Sequence, residues 1–267
     1  MIMQQSLFLF VGGDDKIMNI LIGMAAFIIG SVFYSFLNTV IYRLPEKKAV
    51  IGGGCVCSRC GHDLYIKDRI PVLSWCFLRG KCRYCNEKIP ARYVFIEILG
   101  GVTAALMNRH FGTGLHAVTM FLFFAVMTVI TFIDIDTMEI PPVLNVCIFL
   151  IGIASIWTVG GISMADRIIG MLVISVPLYI LALFGGFGGG DVKLMFAAGF
   201  LLGWKITVAG FFIGIIIGGV YAGYLLIKKL KGMKAEVAFG PFLCIGLAIA
   251  VLAGDKIIDV YISFLGF

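Results

Sequence analysis

Two acidic side chains stand where the surrounding sequence gives them least reason to be. Asp134 lies in Thr131-Phe-Ile-Asp134-Ile-Asp136, and Asp191 in Gly186-Phe-Gly-Gly-Gly-Asp191-Val-Lys193. Each falls at the edge of a long apolar stretch. A carboxylate at membrane depth is costly and marks a functional site by default. Two carboxylates about 3 Å apart cannot both ionise, so such a pair shares a proton and titrates as a unit. The ionised member takes a proton from water while its partner hydrogen-bonds a carbonyl under attack, as in the aspartic proteases. This chemistry needs no cofactor.

Asp134 and Asp136 are two residues apart, so on a helix they point about 200° from one another and only one can face a given partner. Asp191 follows Gly188, Gly189 and Gly190, which permit an unusual backbone and close approach by an extended substrate chain. Gly188, Gly190 and Lys193 are therefore read as the supporting segment of the site. A simpler reading makes Asp134 or Asp136 an interfacial charge and Asp191 a helix N-cap. The glycine run is a weak match to a nucleotide loop, since no strand precedes it.

A second cluster is made of cysteines. Six of the eight, Cys55, Cys57, Cys60, Cys76, Cys82 and Cys85, crowd into one polar segment. Cys57-Ser-Arg-Cys60 and Cys82-Arg-Tyr-Cys85 form two CxxC knuckles, with 21 residues between them. Each knuckle offers two thiolates, and together they complete a closed tetrahedral zinc site, structural rather than hydrolytic. Gly61 and Asn86 suit the tight turns after the knuckles. So small a segment has little apolar core, and a metal would supply its folding free energy. Cys55 is a possible substitute ligand. Cys76, Cys147 and Cys244 read as buried apolar fillers. Thiols without a metal are the plainer alternative.

The elements that must position these groups are membrane helices. The chain has 267 residues, 61% of them hydrophobic and only 13% charged, with a mean hydropathy of +1.06. A soluble domain carries about a quarter charged residues. A span needs roughly 20 apolar residues, fewer where protein shields it. Spans are read at 18–42, 93–107, 115–133, 141–159, 167–184, 192–203, 205–227 and 239–264. The fold class expected is an all-α polytopic membrane protein of about eight transmembrane helices. A small cytosolic zinc-binding insertion, residues 43–92, separates the first helix, 18–42, from a peptidase region, 93–267. Gly210, Gly214, Gly218 and Gly219 allow close helix approach. No removable signal peptide stands out: Ser6 to Val11 is apolar but short.

Charge sets the orientation. Of the 21 Lys and Arg residues, eleven lie in the insertion. With eight spans, Lys193, Lys228, Lys229, Lys231 and Lys234 fall on the same side as the insertion. The other side keeps Lys16, Arg109, Arg167, Lys205 and Lys256. The bias places the insertion in the cytosol and both termini outside. It accounts for the net charge of +6 without nucleic-acid binding. The same even count puts Asp134 and Asp191 together on the cytosolic face.

From about Gly30 onward the chain resembles the type IV prepilin leader peptidases, bifunctional membrane enzymes of pilus, secretion and competence systems. The resemblance rests on elements in a fixed order. Ser35-Phe-Leu-Asn-Thr-Val-Ile-Tyr-Arg-Leu-Pro45 comes first. The knuckles follow, with Ile70-Pro71 and Leu78-Arg-Gly-Lys-Cys82. Then come Arg92-Tyr93, Glu97, Asp134-Ile-Asp with Ile140-Pro141, Gly188-Gly-Gly-Asp191-Val-Lys193 and Phe239-Gly-Pro-Phe242. The resemblance implies that Asp134 and Asp191 are the catalytic pair, with Asp136 a second acidic position ranked below. It implies that Cys57, Cys60, Cys82 and Cys85 bind zinc. It implies substrates that are prepilins or pseudopilins, cut after the glycine of a basic leader on the cytosolic side of the bacterial inner membrane. N-methylation of the new amine with S-adenosylmethionine would follow, at a methyl-donor site the residues do not reveal. One departure is Pro142, where such enzymes carry Asp or Asn.

Two other functions fit parts of the pattern. Intramembrane acids and glycine-broken spans also mark proton-coupled transporters, although both acids here lie at one face and not at the midplane. A zinc-stabilised scaffold without catalysis would need the cysteines and not the aspartates.

Overall fold

A computed structural model describes residues 2–50, 60–63, 70–228 and 238–264, with side chains described for 17–50, 60–63, 70–228 and 238–254. Among the described residues every regular element is a helix. They are α1 (Ile2–Arg43), α2 (Leu73–Phe77), α3 (Ala91–Phe111), α4 (Leu115–Thr137), α5 (Pro142–Thr158), α6 (Met164–Val173), α7 (Ser175–Leu183), α8 (Gly189–Ile227) and α9 (Gly240–Phe264). Among the described residues four stretches are long and apolar enough to cross a membrane: Ile17–Arg43, Leu115–Thr137, Met164–Leu183 and Gly189–Ile227. Pro142–Thr158 and Gly240–Gly254 are shorter apolar helices.

The chain divides into two compact units. The first is Met1–Arg43 with Lys48–Phe121. Here α1 and α3 pack through small residues. A Cβ on Gly101 would meet Ser31 Oγ at 2.5 Å, and one on Gly30 would meet the Gly100 carbonyl. Glu97 on α3 accepts from Ser35 Oγ of α1 at 2.7 Å and from the Val72 N–H at 2.8 Å. That second bond fixes the chain just before α2. Trp75 of α2 covers Gly80, and its indole N–H donates to the Ile89 carbonyl at 3.3 Å.

The second unit is Leu44–Lys47 with Leu122–Phe267, and α8 runs through it. Its 39 residues would rise roughly 58 Å, against a hydrocarbon core of roughly 30 Å. Gly203, at φ 76° and ψ 170°, breaks it. The break falls where the sequence separates the spans 192–203 and 205–227. Before it, Gly199 meets the Gly170 backbone of α6; after it, Gly214 and Gly246 bring α8 against α9. Gly210 and Gly218 also sit at tight contacts as their spacing predicts, while Gly219 faces open space.

Two expectations change. The span 167–184 is two helices, α6 and α7, interrupted at Ile174. Arg167, counted from sequence among the loop cations, is buried. Its guanidinium donates to Ser155 Oγ at 2.6 Å, the Ser155 carbonyl at 3.2 Å, and the Phe200 and Leu201 carbonyls at 3.1 and 3.3 Å. Those last two belong to the turn before Gly203, where the broken ladder needs outside donors.

Candidate active site

Helix α4 runs on past its predicted end and carries Asp134 and Asp136 in its last turn. Periodicity separates them as expected: Asp134 is 4% exposed, and Asp136 is exposed. Asp191 is also buried, in the first turn of α8. Two apolar helices thus deliver one carboxylate each, one from a C-terminus and one from an N-terminus.

The carboxylates are close enough for the charge of Asp134 to act on Asp191. Ile140, in the connection after α4, links their surroundings. A Cβ on Gly190 would lie 2.9 Å from Ile140 Cβ, and one on Gly240 would lie 3.2 Å from Ile140 Cδ1. Asp134 accepts the Gly240 N–H at 3.0 Å. That donor is at the start of α9, where backbone N–H groups lack helical partners and the dipole favours an anion. Asp191 is the third residue of its helix and is not its cap. A Cβ on Gly188, at the cap position, would lie 3.3 Å from Asp191 Oδ2, so this carboxyl sits at the start of its own helix. Asp134 is therefore oriented by a main-chain donor from the start of α9.

The glycine run does not supply an unusual backbone. Gly188 has φ −71° and ψ 140°, and neither Gly189 nor Gly190 has positive φ. The run begins a regular helix. What it provides is space, since Gly190 lies against Ile140. Lys193 is exposed. It is two residues past Asp191, about 200° around the helix, so it does not join the acids.

In the first unit, the Cys60, Cys82 and Cys85 sulfurs all lie within 4.8 Å of one another, and none is in a disulfide. Tetrahedral zinc with Zn–S bonds of about 2.3 Å separates its thiolates by about 3.8 Å, so the three fit one ion. Cys57, the fourth expected ligand, and Cys55 lie outside the described residues. Both knuckle turns use left-handed backbone where the sequence predicts it, Gly61 at φ 68° and Asn86 at φ 56°. Cys244 is buried as expected, whereas Cys76 is exposed and Cys147 half-buried. Cys76 is on α2, whose five residues bury no side chain.

Two family models match the chain: the bacterial peptidase A24 N-terminal domain over residues 28–111, and the type IV leader peptidase family over residues 121–223. A protein from Bacillus subtilis (strain 168) is 30% identical over 246 residues, covering 89% of this chain and 96% of its own. One from Aeromonas salmonicida (strain A449) is 29% identical over 269 residues, covering 89% and 92%. One from Pseudomonas putida is 26% identical over 271 residues, covering 91% and 94%. Each bears the name prepilin leader peptidase/N-methyltransferase. This chain belongs to the type IV leader peptidase family. No solved structure matches it.

Within this leader peptidase, the role of Gly240 was not legible. It appears in the sequence only as part of Phe239-Gly-Pro-Phe242, with no chemistry of its own to draw notice. Its N–H meets a side chain 106 residues away. A Cβ there would sit 2.7 Å from Asp134 Oδ2, so the position admits only glycine without movement. The signal available was a Gly-Pro pair opening an apolar span. Cys244, one turn further on, is buried within range of the charge of both acids.

Proposed function

We propose that this chain cleaves the leader from type IV prepilins or pseudopilins at the cytosolic membrane face and N-methylates the new terminus. What carries the reading is a pair of buried carboxylates, Asp134 and Asp191, close enough for the charge of one to act on the other, with Asp134 held by a main-chain donor from the start of α9. In the peptidase step the ionised acid takes a proton from water. Water oxygen bonds to the scissile carbonyl carbon while the protonated acid hydrogen-bonds its oxygen. The C–N bond then breaks, and the leaving amine gains a proton. The pair must hold one proton between them, so a change of either side chain to an amide removes the base or the acid.

Residues 18–42 form the first crossing, 43–92 the cytosolic insertion and 93–267 the peptidase region, with about eight crossings in all if α8 counts as two. The basic leader lies at the cytosolic surface and the apolar helix of the substrate lies in the lipid. Cys57, Cys60, Cys82 and Cys85 hold structural zinc, which ties the two knuckles of the insertion together. S-adenosylmethionine supplies the methyl group for the second activity. Asn38, Tyr42, Arg92 and Tyr93 help line a cavity of about 160 Å³, the size that holds one benzene-sized ring. It does not enclose an entire adenosyl donor, and no step is assigned to it.

The test is cleavage of a co-expressed prepilin by wild type, Asp134→Asn and Asp191→Asn, read by mass spectrometry. Leader loss and one added methyl are expected in wild type, and neither variant should cut above about a thousandth of that rate. Wild-type cleavage by either variant rejects the residue concerned.

A further inference from the structure

Asn145 is a polar residue on α5 that the aspartate chemistry does not use. It is 5% exposed, and neither its Nδ2 nor its Oδ1 has a hydrogen-bond partner. Buried amides are nearly always satisfied, and an orphan with both a donor and an acceptor unused calls for an explanation.

Its position supplies one. A Cβ on Gly190 would touch Ile140 at 2.9 Å, the Phe149 ring lies 6.1 Å from Phe196 and 5.1 Å from Phe200, and Gly152 faces the Leu201 backbone. Residue numbers rise together along these contacts. Helix α5 and the part of α8 before Gly203 therefore run side by side in the same direction, both starting beside the acids. Asn145 lies between the Ile140 and Phe149 contacts. On that register it is level with the turn of α8 that follows Asp191, roughly 5 Å further along the helix.

We infer that Asn145 is a substrate-binding residue whose carboxamide pairs with the main chain of an extended peptide reaching the aspartates. An extended strand offers a C=O and an N–H on the same edge, and one amide side chain matches both. A helix hides these groups in its own ladder, so the amide selects a substrate segment that has unwound. This rests on the proposed peptidase function and names the group that would hold its substrate. Leu144 and Ile148 of α5 and Leu194 and Met195 of α8, at the same level of the register, are all buried.

The experiment uses full-length enzyme in lipid and a synthetic prepilin peptide spanning the cleavage point. Asn145→Leu should raise KM about tenfold with kcat within about twofold, the mark of binding lost equally from ground and transition states. Its melting midpoint should equal or exceed wild type, because the substitution removes an unsatisfied polar group. Asn145→Ser, which keeps a donor and an acceptor, should fall between. Peptide affinity for the Asp191→Asn protein should weaken by the same factor when Asn145→Leu is added, a readout that needs no cleavage. An unchanged KM and affinity, or a lowered melting midpoint in Asn145→Leu, overturns the inference. Cleavage by Asp191→Asn would instead strike at the aspartate mechanism, so the two failures are distinct.

Discussion

A Cβ on Gly240 would press on Asp134 Oδ2 at 2.7 Å and on Ile140 Cδ1 at 3.2 Å. The first contact is shorter than such atoms tolerate, so the carboxyl must move or α9 must shift. Either displaces the acid relative to Asp191. Misplacement of a reacting group by about 1 Å costs on the order of a hundredfold in rate. Gly240→Ala should therefore lower kcat/KM for prepilin cleavage by roughly 10- to 100-fold, with Asp134 and Asp191 both intact. Wild-type cleavage by purified Gly240→Ala would show that the acid does not depend on this contact. At this scale the two aspartates were legible because charge in an apolar run is rare, and the choice of Asp134 over Asp136 agrees with helical periodicity. Gly240 and Asn145 were not legible. Glycine is common in apolar spans, and one amide in a span reads as tolerated polarity until its partners are sought in three dimensions.

Helices α5, α6 and α8 meet at a break, and Arg167 is what closes it. Gly203 adopts a positive φ that a side chain strains, and the interrupted ladder leaves carbonyls needing donors. The guanidinium fork supplies them at Phe200 and Leu201 while also holding Ser155 of α5. Replacing it by an apolar side chain leaves buried acceptors bare at about 1–3 kcal/mol each. Arg167→Met should lower the melting midpoint in detergent by several degrees, and Arg167→Lys should restore only part of it, since an ammonium cannot span the same fork. Equal stability for wild type and Arg167→Met would mean that these carbonyls find other donors. The sequence marks the break through Gly203 and the following Lys205, which divide two apolar runs. It does not mark the cap, because a lone arginine before an apolar stretch looks like an interfacial anchor. The split of α6 from α7 is similarly hidden inside one continuous apolar run.

At the scale of the whole molecule, apolar run lengths located most of the helices to within a few residues, because in lipid a backbone has few alternatives to a helix. Helix α1, however, begins at Ile2, well before the span read from 18, and α3 is not among the stretches apolar enough to cross. The two compact units divide at Phe121, close to where one family match ends at 111 and the next begins at 121. Run length leaves the number of crossings open. Helix α5 has 17 residues and rises roughly 25 Å, short of a roughly 30 Å hydrocarbon core. The even count between the acids requires that it cross nonetheless, with α6 and α7 returning the chain. Side-specific labelling decides this. In a Cys76→Ser background, Glu139→Cys and Phe184→Cys should react with an impermeant maleimide from one face, and Gly160→Cys from the other. All three positions are exposed. Native Cys76, on the basic insertion, should react only when the cytosolic face is open to reagent, as the charge bias requires. If Gly160→Cys labels from the same face as Glu139→Cys, then α5 does not cross. The acids would then meet by a re-entrant path, and a substrate helix would have to approach them from within the protein instead of along a pair of spanning helices.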